Sequence, residues 1–264
     1  MTPDGTAYSV AGDGEPLVLI HGVGMQRGVW APQVDALSRT HRVVTYDMLG
    51  HGGSRLPASD AMLVDYAAQL ASLLDHLNIR AANVAGHSMG ALIALEFALK
   101  HPERTLRVAA LNAVFCRTPE QRAAVQARAA TLNDVGVQAT IGSTIARWFG
   151  DPVPASLRDI ADAVSGYLRD VQPTGYAHTY RLFASSDDAH VGRLKMLTMP
   201  TLFLTGEHDP NSSPEMSRAM GREAAAARVE VIPGARHMMT ITDAEAVDRS
   251  LSEWLTQTFS SQEH

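Results

Sequence analysis

Three residues of this 264-residue chain, far apart in sequence, have the types and settings that nucleophilic catalysis needs. Ser88 sits at the centre of Gly86-His87-Ser88-Met89-Gly90. Glycines two positions either side of a serine let neighbouring backbone pass close to a sharp turn. Between a strand and a helix, this G-x-S-x-G spacing is the signature of a nucleophile elbow. The amides that open the following helix favour negative charge beside the serine oxygen. A serine hydroxyl is a weak nucleophile near neutral pH, so a base is needed.

Among the 11 histidines, His237 stands in Pro233-Gly234-Ala235-Arg236-His237-Met238, just after the last strand-like run, and is expected to be that base. His101, His178, His190 and His264 have no such setting. His51 and His76 read as structural, and His21 and His87 flank the serine as supports rather than bases. The base in turn needs a carboxylate to hold its tautomer and stabilise its charged form. Asp209, in Leu204-Thr205-Gly206-Glu207-His208-Asp209-Pro210, directly follows a strand-like run and is preferred to its rival Glu207. Charge developing on an attacked carbonyl needs two donors. The backbone N–H of Met89 is expected to be the first, and that of Val23, in His21-Gly22-Val23-Gly24, the second.

Positioning these groups falls to short apolar runs that alternate with amphipathic stretches. Strands are expected at 17–20, 42–47, 82–86, 106–111, 201–206 and 229–232. Helices are expected at 65–77, at 89–100 (stopped by His101-Pro102) and at 247–259. The alternation predicts an α/β fold with a mostly parallel central sheet and helices on both faces. Residues 114–193 break the rhythm. They have no clear β-run but show helical segments near 119–132, 135–148, 155–168 and 176–184, punctuated by Gly150, Pro152, Pro154, Pro173 and Gly175. A simple crossover takes about 10–12 residues. The surplus predicts a helical lid over 114–193, inserted into a core made of 1–113 and 194–264. The alanine run Ala224–Ala227 reads as helix, and Cys116 as a small packing residue.

Hydrophobic residues at 45% and charged residues at 19% place the chain among folded proteins rather than disordered ones. The net charge of -6 argues against nucleic-acid or anionic-membrane partners and leaves a small-molecule substrate as the expected one. A single cysteine allows no intrachain disulfide. Residues 1–14 lack the apolar centre of a signal peptide, and no apolar run approaches the roughly 20 residues of a membrane span, so a cytoplasmic location is expected. No clustered metal-ligand spacing, P-loop or dinucleotide turn is present, so neither metal nor cofactor is expected. Nothing in the sequence fixes an oligomeric state.

In order, the landmarks His21-Gly22-Val23-Gly24, Asp47 with Gly50-His51-Gly52 and Ser54, Gly86 to Gly90, Gly206 to Asp209 and Gly234 to His237 resemble those of the α/β-hydrolase superfamily over nearly the whole chain. The order Ser88, Asp209, His237 is that superfamily's order. Within it the chain is similar to lid-bearing hydrolases of aromatic-compound breakdown, such as 3-oxoadipate enol-lactonases. Arg147-Trp148-Phe149, His101-Pro102-Glu103-Arg104 and Asn112-Ala113 carry this likeness. Met48-Leu49 departs from it, where those enzymes often have an arginine, and leaves the substrate open.

The resemblance implies acyl transfer to water. The lid arginines 117, 122, 128, 147, 158, 169 and 181 suggest an ester or lactone that also bears a carboxylate, with Arg147 beside Trp148 as the first choice for its grip. Cleavage of a carbon–carbon, amide or enamide bond of a ring-cleavage product is the alternative. A non-catalytic ligand-binding protein on the same fold is the alternative of another class.

Overall fold

The computed structural model describes residues 1–257. The apolar runs form a seven-stranded sheet in the order β1-β3-β2-β4-β5-β6-β7, made of β1 (Tyr8–Ala11), β2 (Glu15–Ile20), β3 (His41–Tyr46), β4 (Ala82–His87), β5 (Thr105–Leu111), β6 (Thr201–Gly206) and β7 (Ala227–Ile232). Only β1 runs antiparallel, pairing with β3 at the edge; the other pairings are parallel. Every residue of β4 and β6 is buried, which explains why these central strands read as continuous rather than alternating runs. Ligand sites of parallel sheets lie beyond the carboxyl ends of the strands, and all three chemical residues follow such ends.

Helices flank the sheet. α2 (Leu63–His76) and α3 (Met89–Lys100) pack on each other, and α3 lies along β4 and β5. α1 (Ala31–Leu37), α8 (Met239–Thr242) and α9 (Ala244–Leu255) form a second group. α3 is buried almost throughout, from Met89 to Ala98. This fixes the serine turn ahead of it to a rigid element. α7 (Pro214–Glu223) packs on β6 and β7.

Between β5 and β6 lie α4 (Pro119–Phe149), α5 (Arg158–Arg169) and α6 (Pro173–Ala184), with no strand among them. α4 merges two expected segments and is interrupted at Gly136, whose φ of 76° is open to glycine without strain. The insertion lies against the loops at the strand ends. A Cβ on Gly175 would overlap the carbonyl oxygen of Gly50, and one on Gly24 would reach Leu168 and Tyr176 at 2.6 and 2.8 Å. Its two ends are tied down by charge. Arg117 and Arg122 both hold the buried Asp187, while Glu96 on α3 pairs with Arg193 at 2.8 Å.

Four expectations need correction. Ala224–Ala227 is not helix: α7 ends at Glu223 and Ala227 enters β7, because register in the sheet outweighs alanine's helix propensity. Cys116 is exposed, on a left-handed backbone at φ 48°, and does not pack in the core. β1 and the short α1, α7 and α8 were not foreseen, since each has too few apolar positions to show a period. The closing helix spans Ala244–Leu255, and the portion expected from 258 onward lies outside the described residues, as does His264.

Candidate active site

The serine turn is built by sterics. Ser88 has φ 57° and ψ −115°, a strained conformation for a residue with a Cβ. It is held there by its N–H to Leu111 O at 2.8 Å and by its carbonyl, which accepts from Ala91 N–H at 3.0 Å. The flanking glycines are needed for close approach: a Cβ on Gly86 would overlap Gly90, and one on Gly90 would overlap Ile20. The side chain is nearly buried at the head of α3.

Asp209 and His237 are brought together beyond β6 and β7. His237 Nδ1–H donates to Asp209 Oδ2 at 2.8 Å. The same oxygen accepts from Asn112 Nδ2 at 2.7 Å, and Oδ1 accepts from the Asn211 N–H at 2.8 Å. Burial alone would raise the Asp209 carboxyl. The His237 charge and hydrogen bond, with the two asparagine bonds, outweigh it and hold the carboxyl below its ordinary value. Glu207, the rival, is half exposed and accepts from the Gly234 N–H instead.

His87 joins the halves. Its Nε2–H donates to the His237 carbonyl at 2.8 Å, and the two rings lie 4.9 Å apart. Among the described residues the Ser88 hydroxyl makes no hydrogen bond, so the serine–imidazole bond is not closed in this conformation. Such bonds commonly tighten only when substrate is present.

The loop after β2 is shaped by two more histidines. His21 Nδ1–H donates to Gly22 O at 2.8 Å while its Nε2 accepts from the Met48 N–H at 3.0 Å. His51 Nδ1–H donates to Leu49 O at 3.2 Å while its Nε2 accepts from the Gly24 N–H at 3.0 Å. Both rings must be neutral to accept, and burial lowers them, His21 to about 4 and His51 to about 3. They place Val23 between fixed neighbours, next to Gly22, whose Cβ would lie 3.1 Å from that of Ser88. Among the described residues neither the Val23 nor the Met89 amide meets an acceptor.

The insertion supplies the roof. Trp148 lies with its ring 5.5 Å from that of His237. Arg147, next to it, is largely buried. Its only bond is a long one, Nη2 to Thr144 Oγ1 at 3.4 Å, and its buried Nε has no partner among the described residues. Burial lowers the guanidinium from its ordinary value, as does Arg128 nearby.

These features meet on a fold that other proteins share. A sequence model of the alpha/beta hydrolase fold matches residues 15–244. The chain belongs to the alpha/beta hydrolase family. It is 38% identical to an (E)-2-((N-methylformamido)methylene)succinate hydrolase of Acinetobacter baylyi, covering 95% of this chain and 94% of that one. It is 31% identical to 3-oxoadipate enol-lactonase 1 of the same organism, over 87% and 84% of the two chains. The crystal structure of the enol-lactonase from Burkholderia xenovorans LB400 superposes with a TM-score of 0.86 at 27% identity, covering 96% of each chain. A hydrolase is what these relatives have in common.

Some residues of this hydrolase's site escaped the sequence. Asn112 entered only as part of a family likeness, yet its buried, left-handed backbone (φ 51°) aims its amide at Asp209. A non-glycine residue ending a strand before a long insertion was the available signal. Tyr176 and Tyr180 had none, since aromatic residues on a helix read as packing. Among the described residues no group of three or more acidic, histidine or cysteine side chains could hold a metal, and no helix is long and apolar enough to cross a membrane.

Proposed function

We propose that this chain is a serine hydrolase that cleaves a small, carboxylate-bearing acyl compound through an acyl-enzyme. The observation that carries it is the buried Asp209–His237 pair set beside a strained serine turn. Ser88 attacks the carbonyl as His237 takes its proton. The Val23 and Met89 amides hold the oxyanion, a contribution of roughly 3–4 kcal/mol for one such donor. His237 then protonates the leaving group, and water releases the acid and restores Ser88. Arg147, without a carboxylate partner among the described residues, grips the substrate carboxylate, and Trp148 keeps water from the imidazole.

The scissile bond is an ester, lactone or acyl–nitrogen bond. The relative at 38% identity, whose substrate is named as a succinate bearing an N-methylformamido group, moves the acyl–nitrogen bond ahead of the other two. Residues 114–193 act as the lid.

Labelling with a fluorophosphonate, read by intact mass, tests the serine. One adduct on the wild type and none on Ser88→Ala is expected. A folded wild-type protein that takes no label would return the chain to the ligand-binding reading. Turnover of matched enamide and enol-lactone substrates then assigns the bond, and turnover of a dienone instead would return the carbon–carbon alternative.

A further inference from the structure

Three arginines on or just before α4 reach inward, and they divide into two kinds. Arg117, just before the helix, is buried and neutralised: it holds Asp187 and the carbonyls of Phe183 and Ala184. Arg128 and Arg147, on either side of the break at Gly136, line one partly open cavity of about 80 Å³. Thr140, Thr144, Tyr176 and Tyr180 form part of its wall. Arg128 donates from Nε to the Tyr180 hydroxyl at 3.2 Å and Arg147 makes only its long bond to Thr144. Among the described residues neither arginine pairs with a carboxylate, and Arg128 disfavours the charge of Arg147. Two like charges around a cavity without an acid are costly unless something anionic enters. The hydroxyls add neutral donors suited to oxygen atoms.

Arg147 is the arginine near the chemistry: Asp209 acts on its charge, and its neighbour Trp148 covers His237. Tyr176 stacks on Tyr180 at 5.9 Å and reaches Gly24 beside the proposed oxyanion amide. Arg128 lines the same cavity and is bonded to Tyr180. The cavity wall therefore holds both Arg128 and the arginine beside the Asp209–His237 pair.

We infer that this cavity is a second carboxylate subsite and that the natural substrate is a dicarboxylate, one carboxylate at Arg147 and the other at Arg128. This rests on the reading of the chain as a hydrolase of carboxylate-bearing substrates, and adds to it a second charge and the residue that takes it. A guanidinium fork binds one carboxylate through two parallel bonds, so two forks match two carboxylates rather than one.

Calorimetric titration tests the assignment by binding alone, so a failure of Ser88 chemistry would not be mistaken for a failure here. Succinate and glutarate are compared with butyrate and valerate on the wild type, on Arg128→Gln and on Ser88→Ala. Each diacid is expected to bind at least tenfold tighter than its chain-matched monoacid. Arg128→Gln should cut that ratio below threefold, and Ser88→Ala should keep it. Equal binding of diacid and monoacid by the wild type would overturn the inference, as would a ratio that survives Arg128→Gln. Inorganic phosphate binding as tightly as succinate would make the cavity a free-anion site and overturn it too.

Discussion

Buried charge is treated in opposite ways at two places within a short reach of each other. Around Asp209 the carboxylate accepts from His237, Asn112 and Asn211, and its neighbours outweigh the penalty of burial. Around Arg147 the guanidinium is buried with an orphaned Nε and another arginine beside it. The first arrangement is complete in itself and holds one geometry. The second leaves its charge without a paired carboxylate among the described residues. A buried charge with its partners supplied by the fold marks a fixed part of the machinery. A buried charge without them is costly unless a ligand supplies the partner.

The comparison breaks most visibly at Asp209. Asp209→Asn keeps the shape but presents the wrong partner to the imidazole, and should lower kcat by about 10,000-fold, measured on any turned-over substrate. A loss under tenfold would mean that Asp209 does not orient the base. Stability then separates the two kinds of arginine. Arg117→Ala leaves the buried Asp187 with the half-exposed Arg122 as its one cation among the described residues, and should cost about 3 kcal/mol in urea unfolding. Arg147→Leu removes a charge the fold does not neutralise, and should leave stability within about 0.5 kcal/mol of wild type or above it. Equal losses at the two positions would erase the distinction. In activity the order reverses: Arg147→Leu should raise KM for an acidic substrate roughly 10- to 100-fold, the worth of a charged hydrogen bond, and leave KM for a neutral ester nearly unchanged.

The same contrast explains what the sequence could disclose. Ser88, Asp209 and His237 each stand at a strand end with a glycine nearby, so local pattern alone singled them out, and β4, β6 and α3 were legible because burial forces long apolar runs. The insertion was legible as helices but not as a surface. That Arg117 meets Asp187 while Arg147 meets no acid depends on contacts across tens of residues, and no spacing encodes it. The break at Gly136 likewise separates Arg128 from Arg147 in a way that helical periodicity cannot express. β1 was missed because an edge strand of four residues, half of them exposed, has no pattern to read.

The smallest effect concerns the loop that carries Val23. His21, His51 and His87 are buried and held neutral, lowered to about 4, 3 and 3. As pH falls below 6.5 the unfolded chain protonates these rings while the folded chain does not, so unfolding takes up protons. Their contribution is therefore fully present above pH 6.5 and drains away as pH drops toward their folded values. Each ring adds at most about 1.4 kcal/mol per pH unit to the slope. His51→Gln removes one ring but keeps an oxygen that can accept the Gly24 N–H, so the loop survives and only the titration is lost. Between pH 6.5 and 5 its stability should fall less steeply than that of wild type by up to this amount, read from urea midpoints at three pH values. Asp248, whose carboxyl burial raises, works in the opposite sense but is common to both proteins and cancels. An unchanged slope would mean that His51 is protonated in the folded state. It would then be unable to accept from Gly24, and the loop beside the serine would be held by something other than a neutral imidazole.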